Sequence, residues 1–490
     1  MGRQRISALG MGAAGALAAA LFARPVSAQA LNSNRYSVDV FQGPVLAPSD
    51  VIGIAGAYAG YAEGIAGMVA NAAAPAVREA ESVSWVSWDV SPSISIPFNI
   101  FGKRDDFDNS GATDHGYTDF IYGTLGALLQ VGPVGFGVNA EIQRYAVAPV
   151  KAGVAPTDVI LGKYHALVAL RVLGDQLMIG GGVRMATLSL TPHDDRETNL
   201  TMIGAAPEIG VLFRPDWQSF RVGATVRLPV HGGELIGKTA KRSDGVKTAA
   251  GLVLPRDVVL PWEVELGVAV QVGPRPINPE WVDPHVQEAS LRASFLMKQQ
   301  ERYGRYVSEL AAIPDASARE ARRREIDAEE AVRRKQEEAD EKRLAKDLEN
   351  DRRARAWNWP RAHLLLTAEL LMTGAVADGV SLARFLGQRN QDAGDTSVIG
   401  TSGAKVSFSP RVGVETEPIP GRMHTRAGTY FEPSRLGSRV GRQHFTFGLD
   451  VRLFTTTFWG LVPPTTFKAQ TYADFSPRYQ SVSVGLGVWH

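Results

Sequence analysis

The chain of 490 residues contains no cysteine. That excludes disulfides, thiolate metal sites, a cysteine nucleophile and lipid attachment through a cysteine. Beyond its first two dozen residues no stretch reaches the roughly 18 consecutive apolar residues that a membrane-crossing helix requires. Net charge is nearly absent too: 52 Lys and Arg stand against 51 Asp and Glu, a formal +1, so nothing global favours nucleic acid or an acidic substrate. There is no Gly-x-Ser-x-Gly elbow, no His-Glu-x-x-His zinc motif and no phosphate-cradling Gly-rich loop between a strand and a helix. The histidines are scattered, and His165, His363, His424 and His444 read as polar lining rather than general bases. No enzyme activity, cofactor or resident metal is expected.

What the chain does have is a two-residue beat, apolar then polar. Trp262, Val264, Leu266, Val268, Val270 and Val272 fall on one face of a strand, with Glu263, Glu265, Gly267, Ala269 and Gln271 on the other. Phe136 to Gln143, Phe220 to Leu228 and His444 to Leu453 split in the same way. Segments of about ten alternating residues with charge on one face are the signature of a transmembrane barrel. A soluble sandwich also alternates, but its strands run nearer five or six residues. The expected fold is therefore an all-β transmembrane barrel of about 14 antiparallel strands, with an N-terminal lumenal hatch and a long α-helical periplasmic insertion.

Arg3 and Arg5 precede a largely apolar run from Ile6 to Phe22, and Val26-Ser27-Ala28 supplies a small-x-small site. Residues 1–28 thus read as a signal peptide, which with the barrel pattern points to the bacterial outer membrane. Residues 29–80 read as the hatch, because the Gly- and Ala-rich stretch from Leu46 to Arg78 lacks the bulk for a core of its own and suits a barrel lumen as host. Strands one to eight occupy 81–272, a charged helical insertion 273–360, and strands nine to fourteen 361–490. Within these limits strands are predicted at 82–93, 117–131, 134–148, 160–172, 177–190, 200–213, 220–229, 258–272, 361–372, 405–416, 423–432, 444–454, 467–475 and 479–489. The short connections Gly132-Pro133, Gly174-Asp175-Gln176, Pro215-Asp216-Trp217 and Pro418 to Gly421 all follow even-numbered strands, which places them on the periplasmic side.

Parity puts the insertion on that side as well. A three-four spacing selects Val286, Ala289, Ala293, Leu296, Tyr303, Val307 and Leu310 as the seam of a first helix. Ser317 and Glu320 form a candidate capping box for a second, which runs to Ala356 with Glu320–Arg324 and Glu330–Arg334 among its charge pairs four apart. The reading is a helical hairpin whose second arm covers the seam of the first; the alternative is an arm, residues 286–356, that docks a periplasmic partner or the cell wall. Trp217, Trp357, Trp359 and Trp459 suit the interfacial girdle.

In layout the mature chain resembles the outer-membrane family of long-chain fatty-acid and hydrophobic-compound transporters. The residues that carry the resemblance run from Gly56-Ala57-Tyr58-Ala59-Gly60-Tyr61-Ala62-Glu63-Gly64 to Asn71-Ala72-Ala73-Ala74-Pro75, similar to that family's hatch, and Leu260-Pro261-Trp262-Glu263 at strand eight. Ala72 departs from the proline of the family's Asn-Pro-Ala element. The resemblance implies a fourteen-stranded barrel with a lumenal hatch containing Gly56, Gly60, Gly64, Asn71 and Pro75. It also implies passive uptake of small hydrophobic molecules, with outer-membrane lipid as surroundings. A scaffold or anchoring protein is the alternative function.

The polar face of the strands carries Glu141, Lys163, His165, Arg171, Arg184, Glu208, Arg221, Arg227, Glu263, Glu265, Glu369, Arg411, Glu415, Arg426, Glu432, Asp450 and Arg452. Two readings stay open for this wall: ion pairs that brace it against the hatch, or a permeation path whose charges select solutes. In the first external loop Asp106, Asp108, Ser110 and Asp114 are spaced like calcium ligands, but Tyr117 stands where the bidentate glutamate belongs, which favours a solvated acidic loop.

Overall fold

A computed structural model describes residues 33–78, 82–98, 106–107, 109, 115–149, 153–233, 236–237, 241–243, 245–390, 401–436, 441–456 and 465–489. The expected signal peptide, Asp108, Ser110, Asp114 and Trp459 lie outside these residues. Fourteen strands form the wall: β1 Val86–Phe98, β2 His115–Val131, β3 Val134–Pro149, β4 Thr157–Val172, β5 Leu177–Pro192, β6 Leu200–Phe213, β7 Phe220–Arg227, β8 Glu263–Val272, β9 Leu364–Thr373, β10 Ser407–Ile419, β11 Met423–Glu432, β12 Arg442–Thr456, β13 Thr465–Ser476 and β14 Tyr479–Val488. Each pairs antiparallel with its chain neighbours, and β1 pairs with β14, so the sheet closes. That last seam is partial: the ladder runs from Ile94↔Leu486 to Phe98↔Val482 and leaves Val86–Ser93 beyond it.

Alternation explains the closure. Val138, Val168, Ile203, Leu266 and Phe445 are exposed on the outer surface, while Asn139, Ala169, Thr225, Glu265 and Thr446 beside them are buried inside. An apolar exterior around a polar interior is the inverse of a soluble protein and matches a barrel solvated by lipid. Among the described residues no helix is long and apolar enough to cross a membrane.

Strand eight begins later than its apolar pattern suggests. Pro261 cannot donate to a ladder, and the preceding Asp257–Leu260 peels away to pair with Val230–His231 and, in parallel, with Ser37–Asp39. Gly379–Ser381 completes this four-stranded sheet, which roofs the end of the barrel that carries the longer loops. From the roof the chain descends into the lumen, where nearly every residue from Val45 to Val77 is buried. Only short turns of helix form there, at Ser49–Ile52, Gly64–Gly67 and Ala74–Ala76. Small side chains let this hatch follow the wall closely.

At the opposite end, α1 (Pro284–Ala311) and α2 (Ala316–Trp357) form a hairpin. At 1.5 Å per residue the longer arm extends about 63 Å. The predicted seam is displaced. Val286, Ala289, Ala293, Leu296, Tyr303 and Val307 are exposed, and α1 instead turns Leu291, Phe295, Gln299, Arg302 and Tyr306 inward, with Leu310 common to both faces. This face carries its own apolar residues, Leu291, Phe295, Tyr306 and Leu310, and on it Arg302 meets Glu330 at 3.2 Å and Glu337 at 2.8 Å, contacts that favour this rotation of α1. Glu330 is thereby drawn away from the expected pairing along its own helix, whereas Glu320–Arg324 forms at 3.5 Å. The cap of α2 is Asp315, which accepts from the Ala318 N–H at 2.8 Å, rather than Ser317.

Candidate functional site

The lumen is the chain's most elaborate polar environment. Four clusters of wall residues meet the hatch in turn. Near the roof, His444 lies 2.7 Å from both Glu432 and Asp474, and its two ring nitrogens face one carboxylate each. Arg442 donates to Glu432 at 2.6 Å, and Tyr430 donates to Asp474 at 2.8 Å while accepting the Val45 N–H of the hatch at 3.1 Å.

Further down, Arg426 contacts Glu415 at 2.5 Å, Asp450 at 2.8 Å and Asp50 of the hatch at 3.1 Å. Lys468 bridges the same pair of aspartates, at 2.7 Å to Asp50 and 2.9 Å to Asp450. On β9 the buried Glu369 accepts the backbone N–H groups of Tyr58 (3.0 Å) and Ala59 (2.8 Å). Arg411 on β10 pairs with Glu369 at 3.1 Å and donates to the Gly56 carbonyl at 3.2 Å. The fourth cluster spans β4 to β8: His165 meets Glu208 at 2.7 Å, and Arg227 joins Glu208 (3.3 Å), Glu265 (2.8 Å) and the Val69 carbonyl of the hatch (2.7 Å). Arg184 donates to Glu263 beside them.

The remaining predicted wall residues are placed as follows. Glu141 is buried and accepts from Tyr122 at 2.7 Å; Lys163 is half-buried on the same face. Arg171 and Arg221 lie at the turn-side mouth. Arg452 departs from expectation. Although parity puts it on the inner face, it is exposed at the rim, just past the Met423↔Val451 pair with which β11 begins, and its side chain reaches the Gly421 carbonyl at 3.5 Å. Asp106 is buried, with Arg478 at 3.4 Å from its carboxylate. Asp474, Lys468 and Tyr430 were absent from the predicted set although the same alternation along β11 and β13 marks them.

In the hatch, Asn71 donates to the carbonyls of Ala59 (3.0 Å) and Val211 (3.1 Å), and the Pro75 carbonyl accepts from Gln130 at 2.9 Å. Gly56 has φ +77° and Gly64 φ +58°, a left-handed backbone that side chains resist. Gly60 lies against the β8 backbone, where a Cβ would come within 2.7 Å of the Gly267 carbonyl carbon. The wall answers with glycines of its own. A Cβ at Gly180 would overlap the Ala72 carbonyl, and one at Gly223 the Ala59 carbonyl.

An apolar pocket lies between hatch and roof. Phe107, Tyr117, Tyr145, Val147, Leu382 and Leu386 line it together with Val40 and Phe41. Phe107 sits 4.9 Å from Tyr117 and 6.1 Å from Tyr145, and Tyr145 stacks on Phe120 at 5.1 Å. Its cavity volume is about 30 Å³, close to the space of a single water. Sequence patterns do not reveal this pocket because it is assembled from the N-terminal segment, two separate loops and two strands. Outside the lumen, the loop residue Asp194 is clamped by both of its oxygens to Arg389 at 2.6 Å, and this bond holds its carboxyl below the usual carboxylate range.

No family model and no curated protein sequence matches the chain. Solved structures similar to it include the toluene transporter of Ralstonia pickettii (9% identity over 91% of this chain and 98% of that one, TM-score 0.45). The toluene transporter of P. putida gives 9% identity over 93% and 98%, with a TM-score of 0.46. A FadL homologue from Pseudomonas aeruginosa gives 11% identity over 92% and 98%, with a TM-score of 0.45. At these values the likeness carries no argument of its own; the barrel is established by the chain's own ladder.

Proposed function

We propose that the chain is an outer-membrane channel for the passive uptake of small hydrophobic molecules. The observation that carries this reading is the aromatic pocket around Phe107, Tyr117 and Tyr145, set between a roof of loops and a lumen occupied by the hatch. A mostly apolar concavity with a few polar groups at its edge is the usual form of a small-molecule site, and in this reading the segments around it part to admit the solute. Apolar ligands gain about 25 cal/mol per Å² of surface removed from water, which is enough to draw them from dilute solution into such a pocket. The onward step requires the hatch to shift or the wall to open sideways, and the solute gradient is the driving force.

Chemistry on the solute is disfavoured by the engagement of the candidate groups. His444 is committed to two carboxylates, and Glu369 to an arginine and two backbone N–H groups. The wall charges brace the hatch in this reading rather than select ions. The test is entry of a small aromatic hydrocarbon into intact cells that carry the barrel as their sole hydrophobic-uptake route. Leu386→Arg, which puts a charge into the pocket without touching the wall ladder, is expected to lower the entry rate at least tenfold while the barrel stays folded. Entry unchanged by Leu386→Arg, or no faster with the barrel than without it, would rule the reading out.

A further inference from the structure

Between β8 and α1 the chain does not leave the barrel directly. It crosses the turn-side mouth first, and we infer that residues 275–281 form a strap, a second closure that locks the hatch from below. The crossing is traced by its partners. Gln271 at the end of β8 donates to the Arg275 carbonyl at 2.7 Å. Ile277 is buried in an apolar cluster with Tyr58 and Tyr61 of the hatch and with Leu365 of β9. Asn278 donates to the carbonyls of Pro215 (2.6 Å), Gln218 (3.0 Å) and Phe220 (3.0 Å), which fastens it to the β6–β7 turn. Pro279 accepts from Arg214 at 2.8 Å. Trp281 then lies under the guanidinia of Arg78, where the hatch ends, and Arg171 of β4, at 4.6 and 4.4 Å from its ring.

Two arginines join strap to hatch. Arg221 donates to the Tyr61 carbonyl of the hatch (2.8 Å), to Asn278 (2.9 Å) and to the Ile277 carbonyl, and its guanidinium pairs with Glu63 at 2.7 Å. Arg78 holds the carbonyls of Ser84 and Trp85 at 2.8 and 2.7 Å while stacking on Trp281. Arg78, Arg171, Arg214 and Arg221 crowd this mouth. Burial and the neighbouring Arg171 pull Arg78 down to about 10, and burial and the neighbouring Arg221 pull Arg214 down to about 10. Asp175, 2.8 Å from Arg171, and Glu63 offset part of this charge, and the strap carbonyls and the Trp281 ring add the remaining partners. On either side of the strap the mouth remains open, as a cleft of about 680 Å³ beside Arg171 and Trp217 and a smaller one beside Glu63 and Trp359.

The hairpin stands on the same platform. His285 stacks on Trp85 at 4.5 Å, and Arg352 donates to the Val83 carbonyl at 3.2 Å. It is anchored to the segment that links hatch to β1, and its arms extend away from the mouth. The strap, not the helices, therefore carries the lock.

The test is ion conductance of the full-length barrel in planar bilayers, with hydrogen exchange of residues 58–78 measured on the same protein. Ions report an opening whichever solute is transported, so the outcome is independent of the uptake reading. The wild type is expected to stay closed. Asn278→Ala combined with Trp281→Ala should raise open probability at least tenfold and speed exchange across 58–78. Trp281→Phe, which keeps a ring beneath both arginines, should stay closed, and so should a chain whose residues 286–356 are replaced by a short linker. Retained ladder protection in the strands shows that each variant has folded. A double variant as closed and as protected as the wild type would overturn the inference, as would opening by loss of the hairpin alone.

Discussion

Removing the Glu369 carboxylate should free the hatch without opening the barrel. Glu369 makes three bonds at once: to the Tyr58 and Ala59 N–H groups and to Arg411, whose other contact is the Gly56 carbonyl. In Glu369→Ala two buried backbone donors lose their acceptor, at roughly 1–3 kcal/mol each, and Arg411 is left without its partner. Breaking a buried ion pair from one side costs about 3–5 kcal/mol. The two costs describe one network and overlap rather than add; with about 4 kcal/mol as the loss, local opening of the hatch becomes roughly 700-fold more frequent, since about 1.4 kcal/mol is a factor of ten. Glu369→Gln retains an acceptor for the hatch but not the charge, and should fall between. The β9–β10 ladder around Glu369↔Arg411 uses backbone groups and stays intact. Hydrogen exchange reads both: amides of residues 56–62 should lose protection by nearly three orders of magnitude (about 700-fold) in Glu369→Ala, while those of β9 and β10 change little. Equal protection of the hatch in the folded variant and the wild type would refute the reasoning.

Other perturbations separate the parts of the account. Gly180→Val drives a side chain into the Ala72 carbonyl; overpacking costs about 1–3 kcal/mol, and residues 70–76 should lose exchange protection with the strands unaffected. Deleting 286–356 should leave uptake and barrel stability unchanged, because β8 and β9 pair directly from Val272↔Leu364 onward. The Asp194–Arg389 clamp is sensitive to acid. Its carboxyl is depressed in the folded chain, so the stability it contributes is complete above about pH 4, the unfolded carboxylate range, and is lost as pH falls from there through the folded value. Spin labels on the two loops should report a fixed distance at pH 7 that persists below the unfolded carboxylate range and broadens only as further acid protonates Asp194; a distribution already broad at pH 7, or one that never broadens, would rule the clamp out.

Most of the wall was legible in the sequence because lipid and water impose opposite demands on successive residues, and a register slip would reverse them. The ranges 200–213 and 423–432 match the strands as found, and others differ by a few residues at their ends. Where local pattern misled, a partner distant in sequence was responsible. Asp257–Leu260 supplies an apolar run that leads straight into strand eight but is claimed by Ser37–Asp39. Two apolar stripes compete along α1, and the one that faces α2 is the stripe of Leu291, Phe295 and Tyr306, which also carries Arg302 and its two glutamate partners. Arg452 obeys parity yet runs past the end of its neighbour. Wall glycines such as Gly180 and Gly223 read as gaps in the polar face until the hatch is set against them. The aromatic pocket and the strap were beyond reach for the same reason: both are made of loop residues with no period of their own.

The central claim, that this barrel receives small hydrophobic molecules, is tested most directly by native mass spectrometry of the folded protein taken from its membrane, with any bound molecule identified. The account predicts a discrete apolar ligand that is lost from Leu386→Arg and from a variant with Tyr145→Asp. A wild-type barrel that remains empty after exposure to a broad set of hydrophobic compounds, or a ligand that both variants retain, would contradict it.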